Sequence, residues 1–244
     1  MRLLQLSDCH LFADPAQTAY GVNPYQSLSR VLECAAGEAP DNVIITGDVS
    51  GDNSEESYRH FLSLLNRYLP GCEWRVIAGN HDSNAHFEAL FAEHILHAGN
   101  AWCINNWKVH GLDTRFQGAR GQILPAELQA VSADINSTAD CFHLLALHHH
   151  VVPTGSWMDK HALENPQDLL AWLESATGIA LAIHGHIHAG LCYEAAGIAV
   201  LSVPSTCWQW QLSPEFGTAA LPPGYREIML SPDGEWTSSV RRIE

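Results

Sequence analysis

Five short apolar runs in this chain each end in side chains able to ligate a metal. Leu3-Leu4-Gln5-Leu6 leads into Asp8 and His10, and Val43-Ile44-Ile45 leads into Gly47-Asp48. Trp74-Arg75-Val76-Ile77 runs into Gly79-Asn80-His81-Asp82. Leu144-Leu145-Ala146-Leu147 runs into His148-His149-His150, and Ile179-Ala180-Leu181-Ala182-Ile183 into Gly185-His186-Ile187-His188. Carboxylate, amide and imidazole donors suit divalent cations. Two cations held about 3.5–4 Å apart clamp a phosphoryl group and activate a water as nucleophile. A pair of this kind needs a ligand with two donor oxygens. Asp48, between Gly47 and the Gly51-Asp52 turn, is the best bridging candidate. Asp8 and His10, and again His186 and His188, are spaced by two, so an extended segment points each pair the same way. Asn80 supplies an oxygen without added charge.

Parallel strands joined by helices bring such residues together, because the carboxyl ends of the strands then face one crevice. The spacing predicts helices over Tyr25 to Gly37, Ser54 to Leu69, His86 to Leu96, Pro125 to Val131 and Pro166 to Ser175. Strand and helix alternate over the first third, which implies parallel pairing with right-handed crossovers. Trp102, Ile104, Trp107 and Val109 flank Asn105-Asn106 as in a hairpin. Ile198 to Val203, Tyr225 to Leu230 and Trp236 to Val240 read as further strands. The expected fold is α/β, with two mixed sheets face to face, helices outside, and one domain over residues 1–244.

Charge and composition narrow the function. A formal charge of −15 excludes a broad phosphate-backbone partner such as duplex nucleic acid. An acidic protein acting on an anion needs local positive charge, which bound cations provide. No apolar stretch approaches the roughly 20 residues of a membrane span, and the chain opens on a strand pattern rather than a leader. Seven cysteines without a Cys-x-x-Cys pair favour free thiols and a cytoplasmic location. Cys9 lies between Asp8 and His10, but strand alternation points it away, toward the core.

Asp8-x-His10, Gly47-Asp48, Gly79-Asn80-His81-Asp82, His148 after an apolar strand, and Gly185-His186-x-His188 together resemble the calcineurin-like metallophosphoesterases. Further segments are similar to the bacterial class III 3′,5′-cyclic AMP phosphodiesterases. These are Gly21-Val22-Asn23, Val152-Pro153-Thr154-Gly155, Trp157-Met158-Asp159-x-His161 and Pro204-Ser205-Thr206-Cys207. The resemblance implies a four-layered α/β/β/α sandwich with two divalent ions (Fe, Mn or Zn). It places Asp8, His10 and His188 on one ion and Asn80, His148 and His186 on the other, with Asp48 bridging. Val151 follows the histidine run where relatives usually carry Pro. Within the run His148 directly ends the strand and is taken as the ligand, with His149 the alternative.

The implied reaction is in-line attack of a metal-bridging hydroxide on the phosphorus of cyclic AMP, giving 5′-AMP. Its sugar leaving group benefits from a proton, which His81 is placed to supply, with Asp82 orienting it. Asn23, His149, His161 and Thr206 are candidates for substrate contacts. Trp208 and Trp210 alternate on one face of an apparent strand and read as core. Cyclic GMP is a further candidate substrate, and a homodimer is compatible with the resemblance. Two alternatives stand beside this reading. One is a broad phosphodiesterase for 2′,3′-cyclic nucleotides or glycerophosphodiesters; the other is a metal-stabilised module that binds a nucleotide without turnover.

Overall fold

The computed structural model describes residues 1–138, 140–176 and 178–243. In chain order its strands begin with β1 (Arg2–Leu6), β2 (Asn42–Ile45), β3 (Glu73–Val76), β4 (Trp102–Ile104) and β5 (Trp107–Gly111). They continue with β6 (Arg115–Gln117), β7 (Arg120–Gly121), β8 (Phe142–Ala146), β9 (Ile179–His184) and β10 (Cys192–Ala195). The last are β11 (Ile198–Ser202), β12 (Gln209–Trp210), β13 (Thr218–Ala219), β14 (Gly224–Leu230) and β15 (Trp236–Arg242). The helices are α1 (Pro24–Gly37), α2 (Glu55–Tyr68), α3 (Ala85–Phe91), α4 (Pro125–Asn136) and α5 (Pro166–Ser175).

Two mixed sheets carry the fold. One runs β15-β14-β1-β2-β3 and the other β10-β11-β9-β8-β5-β4. In the first, β1, β2 and β3 pair in parallel while β14 and β15 are antiparallel; in the second, β11, β9, β8 and β5 pair in parallel and the edge strands β10 and β4 antiparallel. Period-two alternation sends successive side chains to opposite faces. Leu4, Leu6, Val43 and Ile45 face a core with Leu28, Val31, Phe61 and Leu64 of α1 and α2. Their neighbours Leu3 and Ile44 turn the other way, onto Leu144, Leu181 and Ile183 of the second sheet. Leu145 and Ala182 then face Leu128 and Val131 of α4 and Leu169 and Leu173 of α5. Three successive cores make four layers, helix, sheet, sheet and helix, as expected. No helix among the described residues is long and apolar enough to cross a membrane.

Two boundaries differ from the periodicity. The helix expected over His86 to Leu96 stops at Phe91. Beyond it the backbone joins the edge of β3, with Val76 N donating to His94 O (3.0 Å) and Leu96 N to Val76 O (2.8 Å). Edge pairing of the backbone there overrides helical propensity. The helix expected to end at Val131 instead runs to Asn136, because Ile135 continues the apolar face against the α4–α5 core.

One buried polar chain sits under α4. His110 is fully buried, and its Nε2 meets His143 Nδ1 at 2.8 Å. Asp134 lies beyond it, accepting from Lys108 Nζ at 2.7 Å. Burial, then the neighbouring His143, pushes the His110 pKa down to about 4. The unfolded chain would titrate near 6.5, so it takes up a proton before the folded one does. Stability from this site is complete above pH 6.5 and is lost as pH falls toward 4. The loss amounts to about 3 kcal/mol. Denaturant titrations at pH 7 and pH 4.5 should show a smaller acid-induced loss for His110→Gln than for the parent; equal losses would exclude His110 as the source.

Candidate metal centre

The loops that follow β1, β2 and β9 hold five of the predicted ligands, and their backbone is unusual. Asp8, His10, Asp48, His186 and His188 all have positive φ, between 46° and 69°. Non-glycine residues seldom adopt this left-handed conformation, and such strain gathers at functional sites. A ladder past the strand ends stabilises it. Asp8 N donates to Gly47 O (2.9 Å), His10 N to Asp48 O (3.0 Å) and Leu11 N to Val49 O (3.0 Å). The His186 amide in turn donates to Asp8 Oδ1 and Oδ2 (3.2 and 3.0 Å). A Cβ on Gly79 would collide with the Asp48 carboxylate, and one on Gly185 with Ser7 Oγ and Asp8 Oδ2, so each carboxylate rests on a glycine of a neighbouring loop.

Donor atoms of Asp8, His10 and His188 lie within 4.8 Å of one another, as do those of Asp48, His148 and His186. A third such group joins His10, Asp48 and His81. Asp48 is therefore common to both sides of the cluster. Its Oδ1 accepts from His81 N (2.8 Å), while Oδ2 faces His148 Nε2 (3.4 Å) and His10 Nε2 (3.9 Å). Carbonyl acceptors fix the tautomers of three rings. His148 Nδ1 donates to Thr46 O (2.6 Å), His188 Nδ1 to Trp208 O (2.8 Å) and His186 Nε2 to His161 O (3.0 Å). In the neutral rings the other nitrogen must then carry a lone pair.

Those lone pairs converge on other acceptors. His188 Nε2 faces Asp8 Oδ1 at 3.4 Å and His10 Nε2 at 3.1 Å. His148 Nε2 and Asn80 Oδ1 are buried without hydrogen-bond partners. Buried acceptors facing one another are costly unless a cation lies between them. The electrostatics agree. Burial raises a carboxyl pKa, yet His188 and then His148 hold Asp8 below its ordinary value. Against the same burial, His148 holds Asp48 well below its own. Burial also opposes charge on His148, but Asp48 and Asp8 lift it to about 9. His10 is pushed down to about 3, mainly by burial. The site thus holds two ionised carboxylates that draw positive charge toward themselves, among amide and imidazole donors, a set that fits divalent cations.

Residues 1–190 match the calcineurin-like phosphoesterase family. This chain belongs to that family. Across its full length it is 31% identical to the 3′,5′-cyclic adenosine monophosphate phosphodiesterase CpdA of Haemophilus influenzae, covering 90% of that protein. It is 35% identical to the Pseudomonas aeruginosa protein of the same name, over 99% of this chain and 90% of that one. A dimetal phosphatase from Danio rerio has the same fold, with a TM-score of 0.66 and 12% identity over 100% of this chain and 99% of that one.

In this calcineurin-like phosphoesterase, His148 points into the cluster and His149 does not. His149 Nδ1 bonds Thr114 Oγ1 (2.7 Å), and its ring packs where a Cβ on Gly121 would fall. His149 is fully buried and lies outside the cleft. Its expected substrate contact is therefore a correction. Asn23 is corrected too: its side chain caps α1, accepting from Gln26 N (2.8 Å) and donating to Pro15 O (2.9 Å). Thr206 is fully buried behind the Asp8 loop, where its backbone N–H donates to Ser7 O (3.2 Å). Of the four proposed contacts only His161 lines the cleft.

Asp82 does not orient His81. Its buried carboxylate accepts from Val49 N (3.2 Å), Ser50 N (3.4 Å), Gly79 N (3.0 Å) and Tyr58 Oη (3.1 Å), clamping the Asp48 loop to the Asn80 turn. Burial and then Asp48 raise its pKa to about 6. Cys9 is buried in the first core as expected, its thiol pushed up to about 12 by burial. Trp208 and Trp210 are not ordinary core. Trp208 stacks on His10 (5.0 Å, 19°) and Trp210 on His188 (4.8 Å, 26°). Trp157 and Met158, to which no role was assigned, also line the cleft, a cavity of about 150 Å³. Their position in an aperiodic Pro/Gly/Ser loop was the available signal.

Metal analysis after purification without chelator separates the two histidines. His148→Gln should lose bound metal at a free concentration that saturates the parent, while His149→Gln retains it with at most about tenfold weaker affinity. The reverse pattern would make His149 the ligand.

Proposed function

We propose that this chain is a metal-dependent phosphodiesterase that hydrolyses 3′,5′-cyclic AMP to 5′-AMP. The observation that carries the reading is full-length similarity to two proteins named for that activity, in a chain whose strand ends gather two sets of inward-facing donors around Asp48. In this reading Asp8, His10 and His188 hold one cation and Asn80, His148 and His186 the other, with Asp48 between them. Iron, manganese and zinc all suit these donors. When bound, the ions neutralise phosphate charge and lower the pKa of the attacking water.

The chain's own residues orient and shield this reaction. Thr46 O, Trp208 O and His161 O each hold an imidazole so that its lone pair faces inward. Trp208 and Trp210 cover the outer faces of His10 and His188. Hydroxide, formed as the water gives a proton to solvent, bonds to phosphorus while the P–O3′ bond opposite breaks, and the charge that develops on O3′ calls for a proton. His81 lines the cleft, and its backbone is tied to Asp48 Oδ1. Its imidazole delivers a proton to O3′.

His81 also lies within ligating distance of His10 and Asp48, so its test must read metal and turnover together. His81→Ala should lower kcat by about 10²–10⁴ with metal content unchanged. Full turnover in the metallated variant would end the acid assignment, and parallel loss of metal would make His81 a ligand. For the parent enzyme, kcat/KM should be greatest for 3′,5′-cyclic AMP, with cyclic GMP the next candidate and 2′,3′-cyclic AMP and a nitrophenyl diester lower. A preference for the nitrophenyl diester would overturn the substrate.

A further inference from the structure

Beside the metal cluster stands an aromatic wall whose exposure the fold does not require. Tyr20 and Phe216 are 54% and 59% exposed, and Trp157 and Trp210 are half-buried. The rings come from three separate segments yet touch one another. Trp157 meets Trp210 at 5.3 Å and Phe216 at 4.9 Å, and Tyr20 meets Trp210 at 5.1 Å. Trp157 and Trp210 line the same cleft as His81, Asn80 and Asp48.

The wall is built rather than incidental. Trp157 Nε1 donates to Gln211 O (3.1 Å) and its backbone N to Ser213 O (2.9 Å), which ties the 157–161 turn to the segment carrying Trp210 and Phe216. That segment is closed by the two-residue ladder of β12 with β13. Tyr20 reaches the cluster from a left-handed backbone, φ 51°, a strained conformation for a side chain that stays half in water. Exposed apolar surface of this kind marks binding sites, and here it borders the open cleft, about 150 Å³, above the cluster.

We infer that Trp157, Trp210, Tyr20 and Phe216 form the platform on which the base of the nucleotide stacks while its phosphate sits over the cluster. The inference rests on the cyclic-nucleotide reading above and adds what that reading lacks, a site for the base. The sugar and phosphate rings of a cyclic nucleotide are fused and only the glycosidic bond turns, so a base held on the wall restricts where the phosphate can sit relative to Asp48 and His81. Stacking demands only an aromatic face, and the wall's indole N–H at Trp157 is already occupied. On such a wall the greater ring area of purines favours them over pyrimidines.

Three substrates test this in the metal-loaded enzyme: 3′,5′-cyclic AMP, 3′,5′-cyclic CMP and a base-free methyl riboside 3′,5′-cyclic phosphate. Trp157→Leu and, separately, Tyr20→Ala should lower kcat/KM for cyclic AMP by roughly 5- to 150-fold, mostly through KM. They should change the base-free diester less than about twofold, and Trp157→Phe should restore most of the loss. Indole fluorescence quenched by 5′-AMP, and not by ribose 5-phosphate, should be lost in Trp157→Leu. Equal losses on cyclic AMP and the base-free diester would make the wall a support for the metal cluster and overturn the proposal. Unchanged kinetics on all three would place the base elsewhere. A parent that quenches with 5′-AMP but does not hydrolyse cyclic AMP would sink the substrate reading while leaving the platform standing.

Discussion

Two carboxylates buried side by side set the terms for this molecule. Asp8 is fully buried and Asp48 is 3% exposed, and the charge of Asp48 works against ionisation of Asp8. Ionised carboxylates in such a place are untenable without compensating positive charge. The surroundings are organised around that demand. Amide donors reach them from loops across the site: His186 N to Asp8 and His81 N to Asp48. Three imidazoles are turned inward by carbonyls. The strained backbone at five residues is tolerable because it lets these donors converge, and the four layers beneath hold it in place. Catalytic potential here is a property of the strand ends, and the sandwich is what makes their conformation affordable.

Much of this was legible from the chain. Short apolar runs ending in Asp, Asn and His marked the strands and the crevice they share, because a parallel sheet leaves little freedom about where its carboxyl ends go. The alternation of Leu3, Leu4 and Leu6, or of Val43, Ile44 and Ile45, becomes two opposed cores in the structure. Helices α1, α2 and α5 follow their apolar stripes and N-terminal signals. Proximity in sequence, however, misled about Asp82. Being next to His81 says nothing of where a side chain goes in a single 3-10 turn, and there the carboxylate closes the turn on Gly79 N. Asn23 was a helix cap in plain view, since Pro24 follows it at the first helical position.

Other features depend on contacts that no local pattern encodes. Left-handed backbone at aspartate and histidine leaves no sequence signal comparable to glycine. Trp210 looks like half of an alternating strand, yet its strand is two residues long and its ring covers His188. The choice between His148 and His149 turned on Thr114, a residue more than thirty positions away that engages the second ring. In each case a tertiary partner decides what the segment alone leaves open.

The bond from His186 Nε2 to the carbonyl of His161 has a reach beyond fixing a tautomer. His161 ends the turn that begins at Trp157, so one hydrogen bond joins an imidazole of the cluster to the aromatic side of the cleft. Anything that firms up the orientation of His186 also firms up that turn, and the converse holds to the same degree. The position of His186 and the end of the 157–161 turn are thus one constraint, met at the carbonyl of His161.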